Sequence, residues 1–477
     1  MAVPAEAPSR STSSPLIRLL DAPWVDPNNA HTAHSGQFSH FLGTFGYPFH
    51  VAFAAFACLS MAGPVVLVEL GALPLLFCWV LRLPFVWRGA LVVLRQPFAI
   101  FAVAWLLWLM LSISWSPDPP AGWHEMAYSR WMWLALAIWP VLDRRPMLIA
   151  ALCVGFACAH GAQLAEWFVV HAGGTLFSHP PAPDPLSRVS GWWHQPAAGG
   201  VMCAASLGLH IGPALMGRGW RRLAGVAGSL AAGAALLMTG SRGSMLAACA
   251  LVALVSVVAV HRAVVISRTT QSSRADRMSA RRTAVLALLG LAVLAIGFWF
   301  VAGNSVTSRI VLARQELTRV AQDGDANSDI GARIIAARAA ADAFSTAPIR
   351  GHGAGSFSHL SRAFAKDRAI AIDDFRLQKL ATAHCAPLQA LATTGLVGSG
   401  LLWGTWACAL WGAGRGRIGP WTWTEDLGTY GAAPLFALTA LLFTSAFETT
   451  YLNNTMQALG CLLMALCPVI KPRPRGT

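Results

Sequence analysis

Charge is what this chain has least of. Only 12% of its 477 residues are Asp, Glu, Lys or Arg, against about 25% in an ordinary soluble domain. So little charge cannot clothe a water-exposed surface of this size, which excludes the soluble globular class. Acid is scarcer still, with 21 Asp and Glu against 35 Lys and Arg and a net charge of +14. In a soluble protein that excess would suggest nucleic acid. Here the bases fall mostly in short stretches between apolar runs, where the positive-inside bias is a sufficient cause. No nucleic-acid partner is expected.

Other absences narrow the chemistry. Nine of the ten cysteines (Cys58, Cys78, Cys153, Cys158, Cys203, Cys249, Cys408, Cys461 and Cys467) lie inside apolar runs without metal-ligand spacing. They read as core thiols, and Cys385 is the tenth. No pair of acids has the spacing of a metal site, and none stands out as the two carboxylates that glycoside hydrolysis uses. Neither a metal nor a cofactor is expected. Residues 1–46 lack a cleavable signal pattern and are expected to form a cytoplasmic tail.

What is present is apolar, at 55% of the chain. Repeated runs reach the length of about 16–25 residues that crosses a bilayer. The runs are Tyr47–Ala62, Pro64–Leu81, Pro97–Trp115, Met126–Leu142, Met147–Val170, Pro196–Met216, Leu223–Met238, Met245–Val260, Ala284–Ala302, Pro387–Trp411, Ala432–Phe447 and Met456–Ile470. The expected fold class is an all-α polytopic integral membrane protein with about twelve spans. Tryptophans at run ends, such as Trp115, Trp192, Trp193 and Trp411, suit interfacial anchoring.

Loop charge fixes a direction. With the N-terminus inside, the inner loops carry Arg82, Arg88 and Arg95, then Arg144 and Arg145, then Arg218, Arg221 and Arg222. The same side receives Arg262, Arg268, Arg274, Arg277, Arg281 and Arg282, then Arg415 and Arg417, and finally Lys471, Arg473 and Arg475. Every short basic loop falls on one face. The outer face receives one long polar stretch, and the expected organisation is a tail over 1–46, spans over 47–303, an outer loop over 304–386, spans over 387–470 and a tail over 471–477. The loop carries Arg309, Arg314, Arg319, Arg333, Arg338, Arg350, Arg362, Lys366, Arg368, Arg376 and Lys379. Its length exempts it from the charge rule without explaining the arginines. Ser308–Gln322 and Ile330–Ala347 read as amphipathic helices lying near the membrane surface. Gly351, Gly353 and Gly355 follow Pro348 as a flexible turn.

Four outer segments carry candidate chemistry. Arg188 lies just before a span, in Leu186-Ser-Arg-Val-Ser-Gly-Trp-Trp-His-Gln-Pro196. Arg242 sits in the turn Thr239-Gly-Ser-Arg-Gly-Ser244, between two apolar runs. A guanidinium there is costly unless paired or hydrated. It either snorkels to headgroups or presents a fork of donors to phosphate. Arg333 and the Pro348–Phe357 segment form the third, and Ala381-Thr-Ala-His384 the fourth. Gly351-x-Gly353-x-Gly355 has a phosphate-loop composition but no following Lys-Ser/Thr, on the wrong side for ATP. His384 stands where the loop re-enters the bilayer, and an imidazole there can take a proton from a sugar hydroxyl. Ser241, His352 and Glu448 are candidates for auxiliary roles.

In this order the segments resemble the O-antigen ligase and polymerase superfamily. The marks are Arg188 ahead of a span, Ser241-Arg242-Gly243 after a later one, then Arg333, Pro348–Phe357, His384 and Gly395–Gly398. The chain departs in having Gln195-Pro196-Ala197 where members often show Asn-Pro-Asn, and Thr382-Ala383-His384-Cys385 in place of His-x-His-Asn. The resemblance implies a GT-C-like glycosyltransferase of a Gram-negative inner membrane, with its site facing the periplasm. It implies an undecaprenyl-diphosphate-linked glycan as donor, with the diphosphate at Arg188, Arg242 and Arg333, and His384 as general base. The expected acceptor is lipid A–core, with membrane lipids as the other partners, and the reaction inverting and metal-independent. Polymerase and protein oligosaccharyltransferase are the alternatives within the superfamily. A single late outer loop favours the ligase. A flippase is the alternative from another class; Glu69, Glu166 and His160 lie within apolar runs, but no internal repeat supports it.

Overall fold

The structure, a computed structural model, describes residues 37–172, 189–193, 195–268, 327–370, 380–418 and 432–467, with scattered positions between them. Among these every regular element is helical. Arg188, the expected helix Ser308–Gln322 and most of the run Ala284–Ala302 lie outside the described residues.

Helices α1 (Gln37–Ser60) and α2 (Val65–Leu94) pack along each other. Helix α3 (Pro97–Ser112) and α4 (Pro119–Tyr128) each start on proline, whose missing N–H costs nothing in a first turn. Asp118 caps α4 by accepting the Ala121 N–H at 3.1 Å. The apolar run Met126–Leu142 is not one helix. It comprises the end of α4, two 3₁₀ turns and the short α5 (Trp133–Ile138) between them. Pro140 supplies no N–H to continue the ladder, and the second turn begins beside it.

Helices α6 (Arg145–His171), α7 (Pro196–Met216), α8 (Trp220–Thr239) and α9 (Arg242–Arg268) follow. Helix α7 is buried without a break from Gly199 to Pro213, which an all-round apolar and small-residue sequence permits. Its Gly208 and Gly212 face a later helix so closely that a Cβ on Gly208 would lie 2.6 Å from the Phe436 carbonyl oxygen. Close approach of this kind is how small residues bind helices together in lipid. Outward-facing Leu73, Phe77, Leu107, Phe168 and Leu230 remain exposed, as a lipid-facing surface requires.

Beyond the central bundle, α10 (Asp329–Thr346) and α11 (Phe357–Asp367) build a small outer body with the start of α12 (Ala386–Ile418). Its core joins Ile335, Ala336, Ala339 and Ala343 to Phe357, Phe364, Ala383 and Ala392. The expected helix over Ile330–Ala347 is thus present within a residue at each end. Its apolar face, however, is covered by protein and not by the membrane surface. Helices α13 (Ala433–Thr444) and α14 (Asn454–Leu466) complete the fold, and Asn453 caps α14 through the Thr455 and Met456 N–H groups.

Among the described residues six helices are long and apolar enough to cross a membrane: Val65–Trp87, Pro97–Trp115, Arg145–Val170, Pro196–Met216, Trp220–Thr239 and Arg242–Arg268. Gly46–Ser60, Ala433–Thr444 and Asn454–Leu466 are apolar but shorter. The run Pro387–Trp411 is interrupted at Gly395, whose backbone is left-handed (φ 65°, ψ −168°).

The Pro348–Ser356 segment fills that interruption. His352 and Gly353 donate their N–H groups to Ala392 and Thr393, while Leu396 and Val397 donate to Pro348 and Ile349. Gly353 has φ 95°, and a Cβ there would lie 2.6 Å from the Ser112 carbonyl oxygen. This stretch is therefore no flexible turn. It is a wedge, buried from Gly353 to Phe357, that ties α3 and α4 to the outer body. The Ser112 hydroxyl accepts the Ala354 N–H at 3.1 Å to the same effect.

Candidate active site

Three turns from distant parts of the chain meet beside the outer body. The first is Thr239-Gly-Ser-Arg-Gly-Ser244, between α8 and α9. Gly240 ends α8 in the left-handed conformation (φ 59°), the usual helix stop. Ser241 then donates its hydroxyl to Ser244 at 3.0 Å and its N–H to the Thr239 hydroxyl at 3.2 Å. Gly200 at the start of α7 lies so near that a Cβ would come within 2.5 Å of the Ser241 Cβ. Arg242, exposed, opens α9.

The second turn joins α13 to α14. Glu448 donates its N–H to the Thr444 carbonyl at 3.0 Å, which fixes the carboxylate just past the helix end. Gly243 of the first turn packs on Phe447, where a Cβ would meet the Phe447 Cβ at 2.6 Å. The arginine turn and the Glu448 turn are therefore neighbours.

The third turn carries His384, one of two described non-glycine residues with positive φ, at 50°. A left-handed histidine costs about 1–2 kcal/mol in ordinary surroundings. It is held from both sides: Gln389 Oε1 accepts the Ala383 N–H at 2.8 Å, and the Ser445 carbonyl accepts the Ala386 N–H at 2.8 Å. His384 Nδ1 then lies 3.9 Å from Glu448 Oε2, and Arg333 of α10 reaches Glu448 Oε1 at 3.5 Å. Glu448 stands between a histidine and an arginine from two other segments.

Residues 227–403 match a family model described as O-antigen ligase, a stretch containing Arg242, Arg333, the Pro348–Phe357 wedge and His384. The chain carries an O-antigen ligase family domain. Glu448 and Arg188 fall outside the matched stretch of this domain. No curated protein matches the chain. Members of the O-antigen ligase family are glycosyltransferase-like enzymes.

The sequence-derived candidates separate under this geometry. Arg333, His384 and Glu448 come together, and the turn that holds Ser241 and Arg242 adjoins them through Gly243, which packs on Phe447. His352 does other work in the O-antigen ligase domain. Its Nε2 lies 3.0 Å from the Ala343 carbonyl and 2.9 Å from the Thr346 hydroxyl, at the open carbonyl end of α10. Val189, next in sequence to Arg188, is pinned by donating to the Met238 carbonyl at 3.1 Å and accepting from Gln163 Nε2 at 2.9 Å. Glu166 accepts the Gly191 N–H at 2.7 Å. The acid that a flippase reading would single out on α6 thus anchors a turn.

Four residues of the site lay beyond sequence reasoning: Ser445, Gln389, Tyr451 and Glu125. Glu125 lies on α4, whose Gly122 packs against the Ala354 carbonyl of the wedge. Burial pushes its carboxyl up to about 7. Tyr451, nearly inaccessible, lies within electrostatic reach of Glu125 and Cys385, and burial raises its phenol well above the ordinary range.

A stability prediction follows from the raised carboxyl. Between its ordinary value of 4.5 and about 7, the folded protein holds more protons than the unfolded chain. Glu125 therefore stabilises fully below that window and loses its contribution as pH rises through it. Glu125→Gln removes the titration. The melting temperature of wild type relative to this variant should fall between pH 4.5 and 7.5 in detergent. An unchanged difference across the range would contradict a carboxyl that is neutral in the fold.

Proposed function

We propose that this protein is an O-antigen ligase. In this reading it transfers O-antigen polysaccharide from undecaprenyl diphosphate to lipid A–core, at the periplasmic face of a Gram-negative inner membrane, in a bundle of about twelve spans. The observation that supports it best is the His384–Glu448–Arg333 arrangement beside the Ser241-Arg242-Gly243 turn. A base is thereby set next to a concentration of guanidinium groups, as transfer from a diphosphate requires.

The reaction then runs in one displacement. The lipid diphosphate sits against Arg242 and Arg333, with Arg188 contributing from the segment ahead of α7. An acceptor hydroxyl gives its proton to His384, whose Nδ1 faces Glu448, so Nε2 takes the proton. The hydroxyl oxygen bonds to the anomeric carbon from the face opposite the diphosphate. The bond from that carbon to the phosphate oxygen breaks, and its electron pair leaves with undecaprenyl diphosphate. The anomeric configuration inverts. Glu448 stabilises the imidazolium that forms, and arginines meet the charge developing on the leaving group, as fixed cations do in water-excluded sites. Arginines in that role make a metal dispensable, so turnover should be unchanged in excess EDTA; loss restored by a divalent cation would refute this part.

A lipopolysaccharide gel from a deletion strain tests the reaction itself. A ligase deletion removes the whole O-antigen ladder, leaving bare core. Core carrying a single repeat would instead identify a polymerase, and an intact ladder with loss of glycan from a glycoprotein an oligosaccharyltransferase. Accumulation of donor on the cytoplasmic leaflet would identify a flippase.

A further inference from the structure

Glu448 is carried on a short excursion, Ala446-Phe-Glu-Thr449, between Ser445 at the end of α13 and Thr450 at the start of the next 3₁₀ turn. The neck of this excursion is closed by two hydroxyls, Ser445 Oγ lying 2.7 Å from Thr450 Oγ1. Ser445 has one hydroxyl hydrogen, and it is donated to the Leu441 carbonyl at 2.8 Å. The Thr450 hydroxyl is therefore the donor of the pair and Ser445 Oγ the acceptor. Both residues are buried, where a hydrogen bond is stronger than at a wet surface. Out on the excursion, Phe447 packs on Gly243 of the arginine turn, while Glu448 faces Arg333 and His384.

Ser445 also holds the other partner. Its carbonyl accepts the Ala386 N–H at 2.8 Å, just past His384. One residue thus meets both halves of the histidine–carboxylate pair: its backbone ties the His384 turn, and its hydroxyl closes the loop that carries Glu448. The separation of 3.9 Å between His384 Nδ1 and Glu448 Oε2 is longer than a hydrogen bond, so a small shift of the loop decides whether the two engage. A serine bonding back to the carbonyl four residues earlier is ordinary at a helix end. Helix capping accounts for that bond, but not for the one across the excursion to Thr450.

We infer that the Ser445–Thr450 hydroxyl pair is a clasp that sets Glu448 against His384, which makes Ser445 and Thr450 positioning residues for the transfer. The inference rests on His384 being the base. Without the Thr450 hydroxyl the neck opens and Glu448 shifts relative to the His384 turn. The imidazolium formed on proton transfer then loses its counter-charge.

The test uses the purified full-length protein in nanodiscs, with lipid-diphosphate-linked glycan as donor and lipid A–core as acceptor, and reads kcat and donor KM. Thr450→Val keeps the branched shape and removes the hydroxyl. It should lower kcat about 10- to 100-fold, as misplacement of a catalytic group by about 1 Å does, with donor KM nearly unchanged. Thr450→Ser restores the hydroxyl and should recover most of the loss. Ser445→Ala, which removes the acceptor, should reproduce it. In a Glu448→Ala background Thr450→Val should bring no further loss, because the clasp acts through that carboxylate.

Wild-type kcat in Thr450→Val overturns the inference. So does a loss that Thr450→Ser fails to recover, or one that multiplies with the loss of Glu448→Ala, since a role in stability alone is indifferent to Glu448. Should Thr450→Val fail to fold, Ser445→Ala decides by the same readings. Normal turnover in His384→Ala overturns the base assignment instead. The two failures are distinct, because a clasp without effect leaves His384→Ala inactive.

Discussion

Replacing His384 by alanine should reduce turnover about 10²- to 10⁴-fold, the range over which a positioned base contributes, while the lipid-diphosphate donor still binds. The argument is geometric. His384 has its Nδ1 3.9 Å from Glu448 Oε2, in a turn held by one hydrogen bond on either side. That arrangement orients an imidazole towards a carboxylate. A control must separate chemistry from backbone, because φ at this position is 50° and alanine tolerates it poorly. Asparagine tolerates it better, so His384→Asn keeps the turn and removes the base. Both variants should be inactive, with unchanged donor affinity and monodisperse elution. Turnover within a few-fold of wild type in His384→Asn would end the assignment. Glu448→Gln, which keeps the shape and loses the charge, should show a smaller loss, because Glu448 orients the base without taking the proton from substrate.

The sequence exposes some of this and hides the rest for physical reasons. Apolar runs, the helix over Asp329–Thr346 and the order of Arg242, Arg333 and His384 are written locally. Local solvent preference and spacing reveal them. The wedge was misread because glycines in series look permissive. Their positive φ angles and tight packing against Ser112, Gly122 and Thr393 depend on partners far along the chain. The interruption of α12 at Gly395 was hidden in the same way, since the carbonyl and N–H groups it frees are taken up by Pro348–Gly353. Glu125 is the sharpest case. In sequence nothing near it distinguishes it from a solvated acid. Its surroundings come from Ala354 and Gly355, which pack on Gly122 of the same helix from more than two hundred residues away, and no window on the sequence contains that relation.

The second large effect should fall on donor binding and not on chemistry. Arg242→Ala is expected to weaken binding of the lipid-diphosphate donor by about 10- to 150-fold, the equivalent of losing hydrogen bonds to a charged group worth about 1.5–3 kcal/mol. Arg242 opens α9, where the helix dipole already places partial positive charge. A cation there is disfavoured unless an anion is present, and with one the helix N–H groups and the guanidinium act together. Snorkelling to headgroups is the rival account, and Arg242→Lys distinguishes the two. Lysine snorkels as readily as arginine, so under that account the variant binds donor normally. A diphosphate held by a planar fork of donors loses its geometry when the fork becomes a single ammonium. Most of the alanine loss should then remain in Arg242→Lys. Direct binding of labelled donor to the purified protein, made inactive by His384→Asn, gives the affinity free of turnover. Wild-type affinity in Arg242→Lys would assign the arginine to the lipid surface and leave the diphosphate to Arg333 and the segment before α7.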